Sequence, residues 1–162
     1  MFSGSSGSHC TVSSATTGKG RFGSATGSTT SGNHDATYTD YTSIGDSSNN
    51  AITSYHNTSS GRLNLQNCTF TSCGRTEITN SHAAAYVNVD TCTWTSTVAT
   101  RSFVPLAGQA LTSGTRTLNN NYFDTIVGNS STILGYTFTG NCLAGDWSIT
   151  TGAAPCSAMK SS

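Results

Sequence analysis

Seven acidic side chains, Asp35, Asp40, Asp46, Glu77, Asp90, Asp124 and Asp146, are the groups best suited to acid-base work, and no two stand closer than five positions. Cleavage of a polysaccharide by paired carboxylates needs two of them about 5 to 10 Å apart in space. Here such a pair requires residues converging from distant stretches. His34 and Asp35 are adjacent in a chain rich in Ser, but no Gly-x-Ser-x-Gly elbow accompanies them, and a triad is defined by geometry. His9, His34, His56 and His82 are expected at exposed or turn positions. Cys68 and Cys73, with His82 and Cys92 beyond them, lack the Cys-x2-Cys knuckles of a structural zinc site. No EF-hand, phosphate loop or dinucleotide fingerprint is present, so no metal, cofactor or catalytic residue is expected.

The six cysteines, Cys10, Cys68, Cys73, Cys92, Cys142 and Cys156, form an even set. They are candidates for three disulfides in any of fifteen connectivities, which favours an oxidising compartment. Three sequons, at Asn57, Asn67 and Asn129, are glycosylation candidates and agree with an extracellular or cell-surface location. No run of apolar residues is long enough for a transmembrane helix, and membrane insertion is not expected.

Composition narrows the partners further. The chain of 162 residues carries 26 Ser and 29 Thr, while charged residues make up 9% and cancel at seven of each sign. Its polarity is therefore hydroxyl and amide. With no basic cluster there is no electrostatic footprint for nucleic acid. An uncharged surface also does little to keep copies apart, so the expected partners are the chain itself, as an oligomer or polymer, and glycans.

Positioning falls to β-strands, which Thr favours over helices. Residues 1–35 read as a Ser/Gly/Thr-rich N-terminal segment, either flexible or extended as strands on a core formed downstream. Residues 36–162 read as a single β-rich domain, closed at its C-terminal end by a disulfide-bonded cap. Within that domain a short unit recurs: Thr37-Tyr38-Thr39, Thr69-Phe70-Thr71, Thr93-Trp94-Thr95, Tyr122-Phe123-Asp124 and Thr137-Phe138-Thr139. The last four copies carry an apolar residue five positions upstream (Leu65, Val89, Leu118, Ile133). Three positions upstream stand bend-tolerant residues (Asn67, Thr91, Asn120, Gly135).

Alternation points the aromatics Tyr38, Phe70, Trp94, Phe123 and Phe138 inward, and Thr69, Thr71, Thr93, Thr95, Thr137 and Thr139 outward. Cys68 and Cys92, two positions before their aromatics, are expected inside as well, either bridged or stacked.

The segments LNLQNCTFTSCG (63–74), VNVDTCTWTSTV (87–98) and LNNNYFDTIVGN (118–129) resemble coils of right-handed parallel β-helix proteins, the group of pectate-lyase-like folds and surface-adhesin stalks. The resemblance covers about residues 60–142. It implies an all-β parallel β-helix, or solenoid, with irregular coil lengths, because the aromatics fall 32, 24, 29 and 15 residues apart. A β-sandwich or jelly roll is the alternative. The function expected is an extracellular structural or adhesive surface protein, forming filaments by self-assembly. A carbohydrate-binding or carbohydrate-active module is the alternative, with Tyr41, Tyr55, Tyr86 or Trp147 stacking on sugars. A third reading is ice binding, since the outward Thr rows resemble the flat face of β-solenoid antifreeze proteins.

Overall fold

The strand preference of this Thr-rich chain has its outcome in a computed structural model, which describes residues 1–14, 22–23, 33–55, 61–79, 86–105, 115–127 and 137–143. Among the described residues there are strands and no helix. The strands follow one another in threes. The first set is β1 (Phe2–Ser3), β2 (Cys10–Ser13) and β3 (Phe22–Gly23), and the second is β4 (Asn33–Thr37), β5 (Thr39–Thr42) and β6 (Ile52–Tyr55). The third is β7 (Arg62–Gln66), β8 (Thr69–Thr71) and β9 (Thr76–Thr79), and the fourth is β10 (Tyr86–Asp90), β11 (Thr93–Thr95) and β12 (Arg101–Pro105). There follow β13 (Arg116–Asn119), β14 (Tyr122–Phe123) and β15 (Ile126–Val127), then β16 (Thr137–Thr139) and β17 (Cys142–Leu143).

Every third strand joins the same sheet. The first sheet runs β1-β4-β7-β10-β13-β16, the second β2-β5-β8-β11-β14-β17 and the third β3-β6-β9-β12-β15. All pairings between these strands are parallel. The all-β class is thus observed, with parallel sheets compatible with a β-helix. The antiparallel pairing of a sandwich or jelly roll is limited, among the described residues, to one isolated bridge between Ser5 and Ser8. The boundary expected between residues 35 and 36 falls inside β4. Since β1, β2 and β3 belong to the same three sheets as the later strands, the described parts of the N-terminal segment lie on the downstream core. Of the C-terminal cap expected over residues 141–157, only 141–143 are described, and the remainder lies outside the described residues.

Parallel in-register pairing sets each side chain beside its equivalent one strand away, about 4.8 Å along the sheet. Tyr41, Phe70 and Trp94 are register partners on the second sheet. Their rings stack at 4.7 Å and 4.6 Å, close to that spacing, and Phe123 continues the stack on Trp94 at 4.7 Å. All four are fully buried. Each such pair adds about 0.5–1.5 kcal/mol beyond the burial of its area. On the first sheet Ala36, Leu65, Val89 and Leu118 form the facing apolar row.

One of the expected core aromatics is corrected by this register, and another is assigned to a different sheet. Tyr38 is only half-buried and sits at a corner with φ 47°, so Tyr41, not Tyr38, is the first member of the stack. Phe138 pairs with Leu118 and thus belongs to the first sheet, while Leu143 is the residue that pairs with Phe123. The side chain of Phe138 lies outside the described part. Thr137 and Thr139 are exposed as expected, but on the first sheet beside Thr117 and Asn119.

The chain turns from the first sheet into the second through Tyr38, Asn67, Thr91, Asn120 and Gly140, which all have positive φ, between 47° and 65°. The turn towards the third sheet uses Ser43, Ser72 and Ser96, with φ of 57°, 53° and 53°. Left-handed backbone is tolerated by Gly and Asn but costs a β-branched or bulky residue about 1–2 kcal/mol. At Thr91 and Tyr38 the stack holds it: the Thr91 N–H donates to Asn119 O at 3.0 Å and the Tyr38 N–H to Gln66 O at 2.9 Å.

Just inside the first corner runs a buried polar column, Thr39, Cys68, Cys92, Asn121 and Asn141. The thiols and hydroxyl of the earlier members give way to amides at the later ones. Asn121 Oδ1 accepts the Cys92 N–H at 2.8 Å, while its Nδ2 donates to Val89 O and to Asn141 Oδ1, both at 2.9 Å. Asn141 Nδ2 donates in turn to Leu118 O at 2.5 Å. Backbone groups at the corner are satisfied by side chains here. Asn121→Ala leaves the Cys92 N–H and the Val89 carbonyl without these partners and is expected to cost about 2–4 kcal/mol by urea denaturation. Asn120→Gly, one residue away at the exposed φ 55° position, is expected to stay within about 0.5–1 kcal/mol of wild type.

Candidate functional site

Alternation leaves two polar rows on the outer face of the first sheet. Asp35, Asn64 and Asn88 stand in register in one, and Thr37, Gln66 and Asp90 in the other. Towards the β1 end these rows and Tyr86 border a groove of about 530 Å³, lined among others by Ser3, Asp35, Arg62, Asn64, Gln66 and Tyr86. That volume lies within the range of small-molecule sites. Arg62, in register between Asn33 and Tyr86, reaches across the strands to donate from Nη2 to Asp35 Oδ2 at 2.5 Å. The hydrogen bond and charge of Asp35 raise the pKa of Arg62. Asp35 Oδ1 is buried and has no hydrogen-bond partner.

The amides are held just as firmly. Asn64 Oδ1 accepts from Gln66 Nε2 and from Asn88 Nδ2, both at 3.0 Å, and Asn88 Oδ1 accepts from Thr117 Oγ1 at 2.9 Å. This outward ladder fixes the groove floor. It presents carboxylate, guanidinium and amide groups beside one phenol ring, with the side-chain cation already matched to the carboxylate. The arrangement is chemically suited to multiple hydrogen bonds with an uncharged polar ligand.

Beneath the floor His34 points inward in the row of Leu63, Val87 and Arg116. Its Nε2 hydrogen-bonds with the Tyr41 hydroxyl at 3.2 Å, and the Phe2 ring lies 6.2 Å away. Burial is the main cause lowering the His34 pKa to about 4, helped by the N-terminal amine and opposed by Asp35. Burial also drives the Tyr41 pKa upward. Tyr41, expected among the sugar-stacking aromatics, is thus a core residue. Tyr86 is half-exposed at the groove, the side chain of Tyr55 lies outside the described part, and Trp147 lies outside the described residues.

The second sheet carries the hydroxyl array. Thr11, Asp40, Thr69, Thr93 and Tyr122 form one outward row, and Ser13, Thr42, Thr71 and Thr95 the other, with Thr71 and Thr95 hydroxyls 3.4 Å apart. Asp40 and Tyr122 interrupt the first row. Asp40 accepts from Thr69 Oγ1 at 2.6 Å and pairs with His9 Nδ1 at 2.9 Å. Its burial raises the carboxyl pKa, but the hydrogen bonds from Thr69 and His9, with the charge of His9, outweigh that and leave it lowered. Asp124 is committed elsewhere, accepting from the Thr97 N–H and hydroxyl and from the Ser102 hydroxyl at 2.6, 2.6 and 2.9 Å.

Four cysteines expected in disulfides, Cys10, Cys68, Cys73 and Cys92, are free thiols. Cys68, Cys73 and Cys92 are buried, and their sulfurs meet backbone carbonyls: Cys68 approaches Gln66 O at 3.3 Å, and Cys73 and Cys92 approach Thr71 O and Asp90 O at 3.4 Å. Stacking, not bridging, is what places Cys68 beside Cys92. Burial raises the Cys92 pKa well above the ordinary thiol value. Cys142 is disulfide-bonded, and Cys156 lies outside the described residues. Of the sequon asparagines, Asn67 occupies its corner half-buried, with its N–H on Asp90 O at 3.0 Å. Asn57 and Asn129 lie outside the described residues.

Among the described residues no three His, Cys, Asp or Glu side chains are grouped as metal ligands, and no helix is long and apolar enough to cross a membrane. Comparison of the chain with protein-family models, with curated proteins and with solved structures yields no match.

Tyr86 and Asp35 are candidates from the sequence, but their placement with Arg62, Asn64 and Gln66 is hidden when the repeat is aligned on Tyr38. Counted from Tyr41, Asp35 stands six positions before its aromatic, as Asn64 does before Phe70 and Asn88 before Trp94. That shared offset is the signal that places them in one row.

His34 beneath the groove gives the folded state a pH dependence. Its pKa is about 4 in the fold and about 6.5 in an unfolded chain, so between these values the unfolded state binds more protons. Stability from this group is intact above about pH 6.5 and falls as pH drops towards 4, by up to about 1.4 kcal/mol per pH unit. Urea midpoints measured at pH 7, 5.5 and 4.5 should show this decline, and His34→Leu should flatten it.

Proposed function

We propose that the chain is a parallel β-helix serving as an extracellular structural or adhesive surface protein, built to associate with further copies of itself. The observation that carries this reading is the in-register collection of every third strand into three parallel sheets. Such a stack grows by repetition. Its outward rows are hydroxyl and amide ladders with few charges, so copies meet little electrostatic repulsion. Among the described residues the terminal strands β1 and β16 pair on one side only, and an unpaired strand edge is a template for another chain. A location outside the cell and adhesion to glycans belong to the same proposal, supported by the low charge and the sequon at the Asn67 corner.

Negative-stain electron microscopy and light scattering of the concentrated protein test it. Filaments or end-to-end oligomers are expected. Replacing the exposed pair Thr137 and Thr139 of β16 by Lys should shorten them while changing monomer stability by less than about 0.5–1 kcal/mol. A monodisperse monomer at every concentration would overturn the assembly reading.

A further inference from the structure

We propose that the groove on the first sheet is a binding site for a neutral saccharide of one or two sugar units. This deepens the glycan-adhesion part of the reading above and does not rest on its assembly part. Four observations converge on that ligand.

The volume of about 530 Å³ accommodates a ligand of this size. The floor offers groups in the mixture that sugar hydroxyls need. Asp35 offers its Oδ2, which keeps acceptor capacity beyond the bond from Arg62, and Arg62 a guanidinium with N–H groups beyond the one given to Asp35. Asn64 has its oxygen occupied twice, so its Nδ2 remains to donate, and Gln66 has its Nε2 occupied, so its oxygen remains to accept. A sugar hydroxyl both donates and accepts, so vicinal hydroxyls match such alternating partners.

Preorganisation is the third observation. The ladder through Asn64, Asn88 and Thr117 and the Arg62–Asp35 pair hold the polar groups before any ligand arrives, which lowers the entropy lost on binding. Last, Tyr86 flanks the floor in register with Arg62, giving an aromatic surface for the C–H face of a pyranose. Charge decides between sugar classes. The Arg62 guanidinium is already paired with Asp35, so a uronate carboxylate gains no free side-chain cation and meets the Asp35 charge, with only the amine of Met1, which also lines the groove, to attract it. An uncharged saccharide meets no such penalty.

The test titrates the full chain with cellobiose, maltose, lactose and chitobiose, and with digalacturonate as the acidic arm, following backbone amide shifts by NMR. The expected result is a dissociation constant on the order of 1 mM for at least one neutral disaccharide. Shifts should be confined to the amides around residues 35, 62–66 and 86. Tyr86→Ala and Gln66→Ala should each weaken binding about tenfold, whereas Thr139→Ala on β16 should not. Shift mapping on the unaltered chain locates the site even if a variant fails to fold. The proposal is overturned if no neutral sugar produces shifts, if shifts fall outside this groove, if digalacturonate binds more tightly, or if both variants bind as wild type.

Discussion

The constraint from which the rest of this structure follows is that parallel strands stack in register, so each side chain lies about 4.8 Å from its equivalent in the next set of three. Like then meets like along every row. For apolar and aromatic residues this is favourable, and the Tyr41, Phe70, Trp94 and Phe123 rings stack at the strand spacing itself. For amides and hydroxyls it is favourable as well, since each has a donor and an acceptor to offer its neighbour. For charges it is not, because two like charges at that distance repel by about 1 kcal/mol even in water and by more near a protein surface. The low charge content is therefore a requirement of the stacking. No register pair among the described residues sets two like charges side by side. Several of the charges that occur find partners across rows: Arg62 with Asp35, Arg75 with Glu77, His9 with Asp40.

Stacking also explains how the corners survive their backbone strain. A positive φ at Thr91 or Tyr38 is unfavourable in isolation, but the corner N–H of each set donates to a carbonyl in the next. Each corner is thereby held by its neighbour. The buried column beside the first corner does the same job from inside, with Asn121 and Asn141 replacing missing backbone partners by side-chain amides. The thiols of Cys68 and Cys92 fill the same place where no amide is present. Their freedom from disulfides removes one support for an oxidising compartment, since the column needs only small, weakly polar side chains.

Much of this was legible in the residues, and the failures have physical causes. Phe70, Trp94 and Phe123 were readable as core because the upstream apolar residue and the bend recur at fixed offsets. Asn67, Thr91 and Asn120 were readable as bends for the same reason. Tyr38 misled because Thr37-Tyr38-Thr39 copies the local pattern, although the residue five positions before it is Asn33; before Tyr41 that place holds Ala36. The sheet of Phe138 was not legible because Thr-Phe-Thr fits either one, and pairing with Leu118 assigns it. Asn121 and Asn141 were invisible as structural residues, since an Asn that satisfies a buried corner and one that lies on a turn look the same in one dimension.

The groove is one place where the rule of like beside like is broken. Along the row of Asp35, Asn64 and Asn88 a carboxylate replaces the amide, and along that of Asn33, Arg62 and Tyr86 three unlike side chains meet. Neither substitution serves the stack. An amide at position 35 would continue the Asn64 and Asn88 ladder, and an uncharged residue at position 62 would need no counter-ion. The sequence instead places there a carboxylate, beside a guanidinium and a phenol. In a fold whose regularity is so strongly imposed, a cluster of unlike polar side chains around one groove points to a demand other than folding. Binding of a polar ligand is a demand of that kind, and it acts on the same outward rows that the stack leaves free to vary.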